Sequence, residues 1–212
     1  MAINVKNTTK FSIMDIICPY YCMGCGRLGN LLCCRCKKYV MAELLGDVTE
    51  KKTGVMYCGT RKGLLFEMVK KYKYQSVRGL GRVLAGLIDE VLPDLGEKVV
   101  VVPLPTIARH VRGRGFDHME ILARELVRRR GWEFKKMLGR TNSTVQVGAS
   151  EEVRKKQAQT AYALDGRVED GCKYLLIDDV WTTGASMMAA EEILRRAGAR
   201  RVYKAVVVVS GD

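Results

Sequence analysis

The chain has 212 residues, with 36 Lys and Arg against 23 Asp and Glu, a formal charge of +13. That length fits one good-sized domain with a small appendage, or two small domains. No apolar run approaches the roughly 20 residues of a membrane helix, and the N-terminal MAINVKNTTKFSIMDIICPYYC has no secretory core, so no membrane insertion and a cytoplasmic location are expected. The positive excess favours polyanionic partners, phosphates or nucleic acid, although a basic soluble surface would give the same charge. It is densest at Arg124, Arg128, Arg129, Arg130, Lys135, Lys136 and Arg140.

Six of the eight cysteines lie between Cys18 and Cys36. In a reducing compartment this density argues for metal rather than disulfides. Cys22-Met-Gly-Cys25 and Cys33-Cys-Arg-Cys36 form two CxxC pairs seven residues apart. Each pair can chelate one edge of a tetrahedral ion, with Gly26 suited to the knuckle turn. Cys22, Cys25, Cys33 and Cys36 are therefore the expected ligands of a structural Zn²⁺, a better fit to four thiolates than an iron–sulfur cluster. Cys18 or Cys34 could replace a neighbour, and a redox role for one CxxC is the rival reading. Residues 1–45 are expected to form this zinc module and 46–212 the second unit, with Cys58 and Cys172 as small buried residues.

The remainder of the chain alternates strands and helices. Arg61–Tyr72 carries a helical stripe (Leu64, Leu65, Met68, Val69, Tyr72), and Val77–Val91 carries another. Lys98–Val102 reads as a buried strand stopped by Pro103 and Pro105. His118–Arg130 is an amphipathic helix ending at Gly131. Lys173–Ile177 is a buried strand, Ser186–Ala197 a helix capped by Gly198, and Val202–Val209 the closing strand. The pattern predicts an α/β fold, a mostly parallel sheet flanked by helices. Ligands of such sheets sit beyond the carboxyl ends of the strands, which directs attention to Pro103–Gly115 and Asp178–Ser186.

The second of these segments reads YLLIDDVWTTGAS: an apolar strand, two acids, a short polar loop and a helix. Backbone N–H groups at the start of that helix, with its dipole, suit a phosphate. Thr182, Thr183 and Ser186 add hydroxyl donors, Gly184 and Ala185 keep the loop small, and Asp178 and Asp179 can accept from vicinal sugar hydroxyls. The run resembles the type I phosphoribosyltransferase signature, with Ser186 in place of a final threonine. The resemblance implies that fold, with phosphoribosyl diphosphate and Mg²⁺ as ligands. It further implies that the two acids bind the ribose hydroxyls and that 182–186 hold the 5-phosphate.

Val-Pro-Leu-Pro (102–105) ends its strand where that family places a diphosphate loop, giving Leu104 and Pro105 as candidates. Arg109, Arg112 and Arg114 follow at spacings that could engage a diphosphate bidentately or form a solvated basic loop. Arg140–Arg154 is polar and aperiodic, as expected of a loop closing over substrate, with Arg140, Gln146 and Arg154 as its candidate contacts. With the cysteine cluster in front, the ordered set Pro-Leu-Pro, Arg-Gly-Phe (114–116), Gln146, Arg154 and Asp-Asp resembles the ComF family of competence-associated phosphoribosyltransferase-like proteins. Asp117-His118 stands where that family usually has Asn-Gln, and Gln157 where it has Asn. His118 reads as a helix-start residue rather than a general base.

Two functions are therefore expected. One is a Mg²⁺-dependent phosphoribosyltransferase carrying a zinc module, with a hood over the acceptor drawn from 46–98. The other is a non-catalytic accessory protein of natural transformation that binds single-stranded DNA, with a competence helicase or a second copy of the chain as partner.

Overall fold

The computed structural model describes residues 20–44, 54–141 and 162–210. In chain order its elements begin with α1 (Cys34–Leu44), β1 (Val55–Tyr57), α2 (Gly63–Tyr74) and α3 (Leu80–Val91). There follow β2 (Val99–Pro103), α4 (Ala108–Arg114), α5 (His118–Arg130) and β3 (Glu133–Phe134). The last are β4 (Leu138–Arg140), β5 (Tyr162–Leu164), β6 (Lys173–Trp181), α6 (Ala185–Arg196) and β7 (Arg201–Val209).

Continuous apolar runs make strands that are buried on both faces, and the side-chain alternation assigns each residue a layer. Val99, Val101, Leu175 and Ile177 pack with α2, α3 and α5, whereas Val100, Val102, Tyr174 and Leu176 pack with α6. Five of the seven described strands form one sheet in the order β1-β7-β6-β2-β3, every neighbouring pair parallel, and β4 and β5 form a separate antiparallel ribbon. This is the expected α/β architecture, a parallel sheet flanked by helices with a cysteine cluster ahead of it.

The topology opens one crevice. The chain leaves β2 for α5 on one face and leaves β6 for α6 on the other, so the two strands part at their carboxyl ends. Their ladder ends with Pro103 opposite Ile177, while β6 continues along β7 as far as Trp181 opposite Val209. Asp178 and Asp179 therefore sit within β6, just past the end of β2.

The structure corrects several boundaries. The strand expected at Lys173–Ile177 extends to Trp181, because β7 supplies a partner beyond the point where β2 ends. The helix expected from Val77 starts at Leu80, since Ser76 adopts φ 56° and residues 77–79 form a turn. Cys172 is half-buried at the mouth of β6 rather than buried, whereas Cys58 is buried. Strands β1, β3, β4 and β5 have only two or three residues each, too few for a period to register.

Helix α5 keeps its predicted span. Asp117 caps it by accepting from Met119 N (3.1 Å) and Glu120 N (3.4 Å), and Gly131 closes it at φ 68°. It crosses α3 at Gly81, where a Cβ would lie 2.7 Å from both Ile121 Cγ2 and the Tyr72 hydroxyl. That hydroxyl is pinned by donating to the His118 carbonyl at 2.5 Å. A Gly81→Ala change gains up to about 1 kcal/mol in helix propensity but must displace both neighbours. We expect a net loss of about 1–2 kcal/mol, read as a lower urea midpoint at unchanged m value. Equal or higher stability would contradict this packing.

Candidate functional site

A cleft of about 550 Å³ occupies the crevice beyond β2 and β6. Asp178 and Asp179 form its floor. The loop Leu104–Ile107 and α4 supply one wall, α2 supplies another, and Arg140 with Tyr162 from the β4–β5 ribbon approach from a third side.

The two acids are not equivalent. Asp179 is buried, and both its oxygens are engaged: Lys73 Nζ lies 3.0 Å from Oδ1 and 2.9 Å from Oδ2, and His118 Nε2 lies 2.8 Å from Oδ2. Asp178 is half-buried and accepts from the Asp179 backbone N–H at 2.8 Å. Burial disfavours ionisation of Asp179, but the His118 hydrogen bond and the Lys73 charge outweigh it and hold the carboxyl below the usual carboxylate range. Burial, and then the Asp179 charge beside it, push Asp178 up to about 8. The pair thus carries essentially one negative charge near neutral pH. Burial lowers the Lys73 ammonium, and Asp179 more than offsets this and raises it. His110 is held below the usual histidine range by burial and then by Arg109 and Arg114, so this wall of the cleft has a positive potential.

Of the phosphate-loop candidates, Thr182 and Ser186 line the cleft, and Thr183, Gly184 and Ala185 line a smaller hollow around the same loop. Gly184 precedes α6 at φ 74°, and the Trp181 ring fills the space its Cβ would take. The requirement for glycine there thus arises within the chain, a reason the sequence alone does not reveal. Tyr162 shares a side-chain hydrogen bond with Ser186. Leu104, Pro105 and Arg114 line the cleft, while Arg109 and Arg112 are exposed on α4 and are not among its lining residues. Arg140 lies 5.6 Å from the Tyr162 ring centroid at the mouth. Gln146 and Arg154 fall outside the described residues.

Sequence reasoning did not single out Lys73 or Tyr162, and it read His118 only as a helix start. His118 does open α5, but its ring also reaches Asp179. The available signals were its rarity and the departure from the family's usual Asn-Gln at 117–118.

The cysteines expected to hold a metal come together in the fold. Cys22, Cys25, Cys33 and Cys36 bring their sulfurs within 4.8 Å of one another, and Cys25 and Cys33 stand 3.7 Å apart. A tetrahedral ion with Zn–S of ~2.3 Å requires sulfurs ~3.8 Å apart, so the four residues fit a zinc ion. Cys34 is exposed and lies outside the cluster. Burial raises the Cys22 thiol, but N–H groups of Cys33, Cys25 and Gly24 outweigh it and bring it down to about 6; burial and the neighbouring thiols push Cys36 up to about 12. Four thiolates at such spacing require a cation to neutralise them. The cluster abuts the rest of the fold: a Cβ on Gly24 would lie 2.7 Å from Cys36 Sγ and 2.8 Å from Leu64 of α2, and Val40 of α1 belongs to the main core.

No protein-family model matches the chain. The competence protein ComFC of Streptococcus pneumoniae is 25% identical over 181 residues, covering 83% of this chain and 80% of that protein. The chain is a homologue of ComFC. The orotate phosphoribosyltransferase of Thermococcus gammatolerans is 34% identical over 106 residues, covering 43% of this chain and 56% of that protein. That of Thermococcus kodakarensis is 47% identical over 58 residues, covering 26% and 31%. The chain thus spans about half, or less, of the length of these enzymes. Among solved structures, the Bacillus subtilis glutamine phosphoribosylpyrophosphate amidotransferase complexed with ADP and GMP overlays at TM-score 0.44 with 16% identity, covering 65% of this chain and 30% of that one.

Two outcomes follow from the site's electrostatics. Because the folded value of Asp178 lies above its usual 3.8, the unfolded chain binds fewer protons across roughly pH 4–8, and this residue's contribution to stability falls as pH rises through that window. Asp178→Asn removes the effect. In Mg²⁺-free buffer its Tm should exceed the wild-type value most at pH 8, and the gap should close as pH falls to about 4; a constant gap would contradict the assignment. Chelation of Zn²⁺ loaded onto the four cysteines should lower Tm, each kcal/mol lost appearing as about 2–4 °C, because the cluster packs against α2. An unchanged Tm after chelation, with metal release measured directly, would contradict a structural ion.

Proposed function

We propose that the cleft binds phosphoribosyl diphosphate and that the protein transfers the phosphoribosyl group to an acceptor. The observation that carries this reading is the Asp178–Asp179 pair at the end of β6, directly ahead of the start of α6 and facing a cleft lined by Arg61, Lys70, Lys73, Arg114 and Arg140. A ligand with several negative charges and vicinal hydroxyls matches that combination of donors, acceptors and cations. In this reading the 5-phosphate lies against the backbone and hydroxyls of Thr182, Thr183, Gly184, Ala185 and Ser186. The ribose hydroxyls donate to Asp178, with Asp179 behind it. The diphosphate meets Leu104, Pro105 and Arg114, with Arg109 and Arg112 available from α4.

In the transfer step a lone pair of the acceptor forms a bond to C1 of the ribose while the C1–O bond breaks and diphosphate leaves with the electron pair. Positive charge builds on the ring, and the negative charge shared by the acid pair beneath it stabilises that charge. Arg114 receives the growing negative charge on the leaving group. A hard divalent ion suits the oxygens of Asp178, whose ionisation is opposed by the Asp179 charge; Mg²⁺ held there would neutralise the diphosphate as it departs. Arg140 meets the ligand from the mouth of the cleft. The cysteine-bound metal is structural, residues 1–45 form its module, and residues 46–212 carry the transfer chemistry. The likeness to a competence protein supports a setting in DNA uptake, inside the cell.

A second reading, binding of single-stranded DNA by the metal module, is favoured by one observation. Tyr21 and Tyr39 are each 62% exposed, in a segment that also carries Arg27, Arg35 and Lys38. Exposed rings among cations suit base stacking along a phosphate backbone.

Isothermal titration with phosphoribosyl diphosphate and Mg²⁺ should give saturable heat, weakened about tenfold or more by Asp178→Asn. Absence of heat for the wild type would contradict the first reading. For the second, log affinity for an oligonucleotide should fall linearly with log salt, and replacing Tyr21 and Tyr39 by Ala should weaken it by about 1–3 kcal/mol per stacked base. No binding at low salt would eliminate it.

A further inference from the structure

His118 joins the two sides of the cleft. Its ring is buried; Nε2 lies 2.8 Å from Asp179 Oδ2 and Nδ1 lies 2.6 Å from Arg114 Nη1. A guanidinium has only donors, so Nδ1 accepts from Arg114, and Nε2 carries the hydrogen donated to Asp179. The backbone that carries the ring is fixed independently of these bonds. Asp117 caps the helix that His118 opens, and the Tyr72 hydroxyl holds the His118 carbonyl. Thr106 Oγ1 donates to Asp117 Oδ1 at 3.0 Å, tying the loop after β2 to the same corner.

The two ends of this row are held unequally. Asp179 also has Lys73, which contacts both its oxygens, so loss of the imidazole leaves that carboxylate paired. Arg114 has His118 as its side-chain partner among the described hydrogen bonds and ion pairs. Removing the imidazole therefore acts mainly on Arg114, on the wall assigned to the diphosphate.

We propose that His118 is a positioning residue that holds Arg114 on the diphosphate side and Asp179 on the ribose side in one hydrogen-bonded row, and that it sets the strength of the diphosphate contact through Arg114. This inference rests on the phosphoribosyl diphosphate reading. It predicts a split that a merely structural residue would not produce. Ribose 5-phosphate lacks the diphosphate and does not use Arg114, whereas phosphoribosyl diphosphate and free diphosphate do.

The test is calorimetric titration of the full chain with these three ligands and Mg²⁺, for the wild type, His118→Leu, His118→Gln, Arg114→Gln and Lys73→Met. His118→Leu should weaken phosphoribosyl diphosphate and diphosphate about tenfold and ribose 5-phosphate less than about twofold, matching Arg114→Gln. His118→Gln, whose amide can accept from Arg114 and donate to Asp179, should recover most of the loss. Lys73→Met should weaken both sugar phosphates. Equal loss of all three ligands in His118→Leu, no loss in any, or no recovery in a folded His118→Gln would overturn the proposal. If His118→Leu does not fold, the comparison of His118→Gln with Arg114→Gln decides: both losing the diphosphate contact alike overturns it. A wild type that binds none of the three ligands overturns the phosphoribosyl diphosphate reading, and this inference with it.

Discussion

Two carboxylates on consecutive residues, at the point where two parallel strands part, set the constraint that the rest of the site obeys. Side by side and largely out of water, Asp178 and Asp179 repel each other. The fold resolves the conflict unequally: among the described ion pairs, Lys73 and His118 contact Asp179 and none engages Asp178. The compensating groups come from elements far apart in sequence. Lys73 lies near the end of α2 and His118 opens α5, and both converge on one oxygen pair because these helices share the face of the sheet opposite α6. A half-satisfied acid facing a cationic cleft is a poor arrangement for stability and a good one for a ligand that brings hydroxyls and negative charge.

Helix α2 links this arrangement to the cysteine cluster. At its start Leu64 abuts Gly24 beside Cys36; at its end Tyr72 and Lys73 hold His118 and Asp179. The stripe Leu65, Met68, Val69 and Tyr72 seats the helix on the sheet between these two contacts. The cysteine cluster thus braces one end of an element whose other end tunes the acid pair. Two features that look separate along the chain meet on one rigid rod of 12 residues.

The sheet and its main helices were legible because valine and leucine runs declare buried strands, and because an amphipathic period closed by Gly131 declares α5. The acid pair and the loop after it were legible as a pattern of residue types in a strand–loop–helix context. Other features depend on which distant elements meet. A helical period reveals which face of α2 is buried, but not that its C-terminal turn reaches Asp179, so nothing in the sequence singles out Lys73. His118 satisfied the signal for a helix start, and nothing local announces that its ring turns inward. The arginines after β2 looked alike in sequence, yet the short helix α4 brings Arg114 into the cleft while Arg109 and Arg112 stay exposed.

The central claim is that one acid is available to a ligand while the other stays engaged by the protein. A crystal structure of the complex with phosphoribosyl diphosphate and Mg²⁺ tests it most directly. The account predicts the 5-phosphate at the start of α6, the ribose hydroxyls on Asp178, and Asp179 still paired with Lys73 and His118. A ligand bound elsewhere, or Asp179 turned away from Lys73 and His118 to take the ribose, would contradict it.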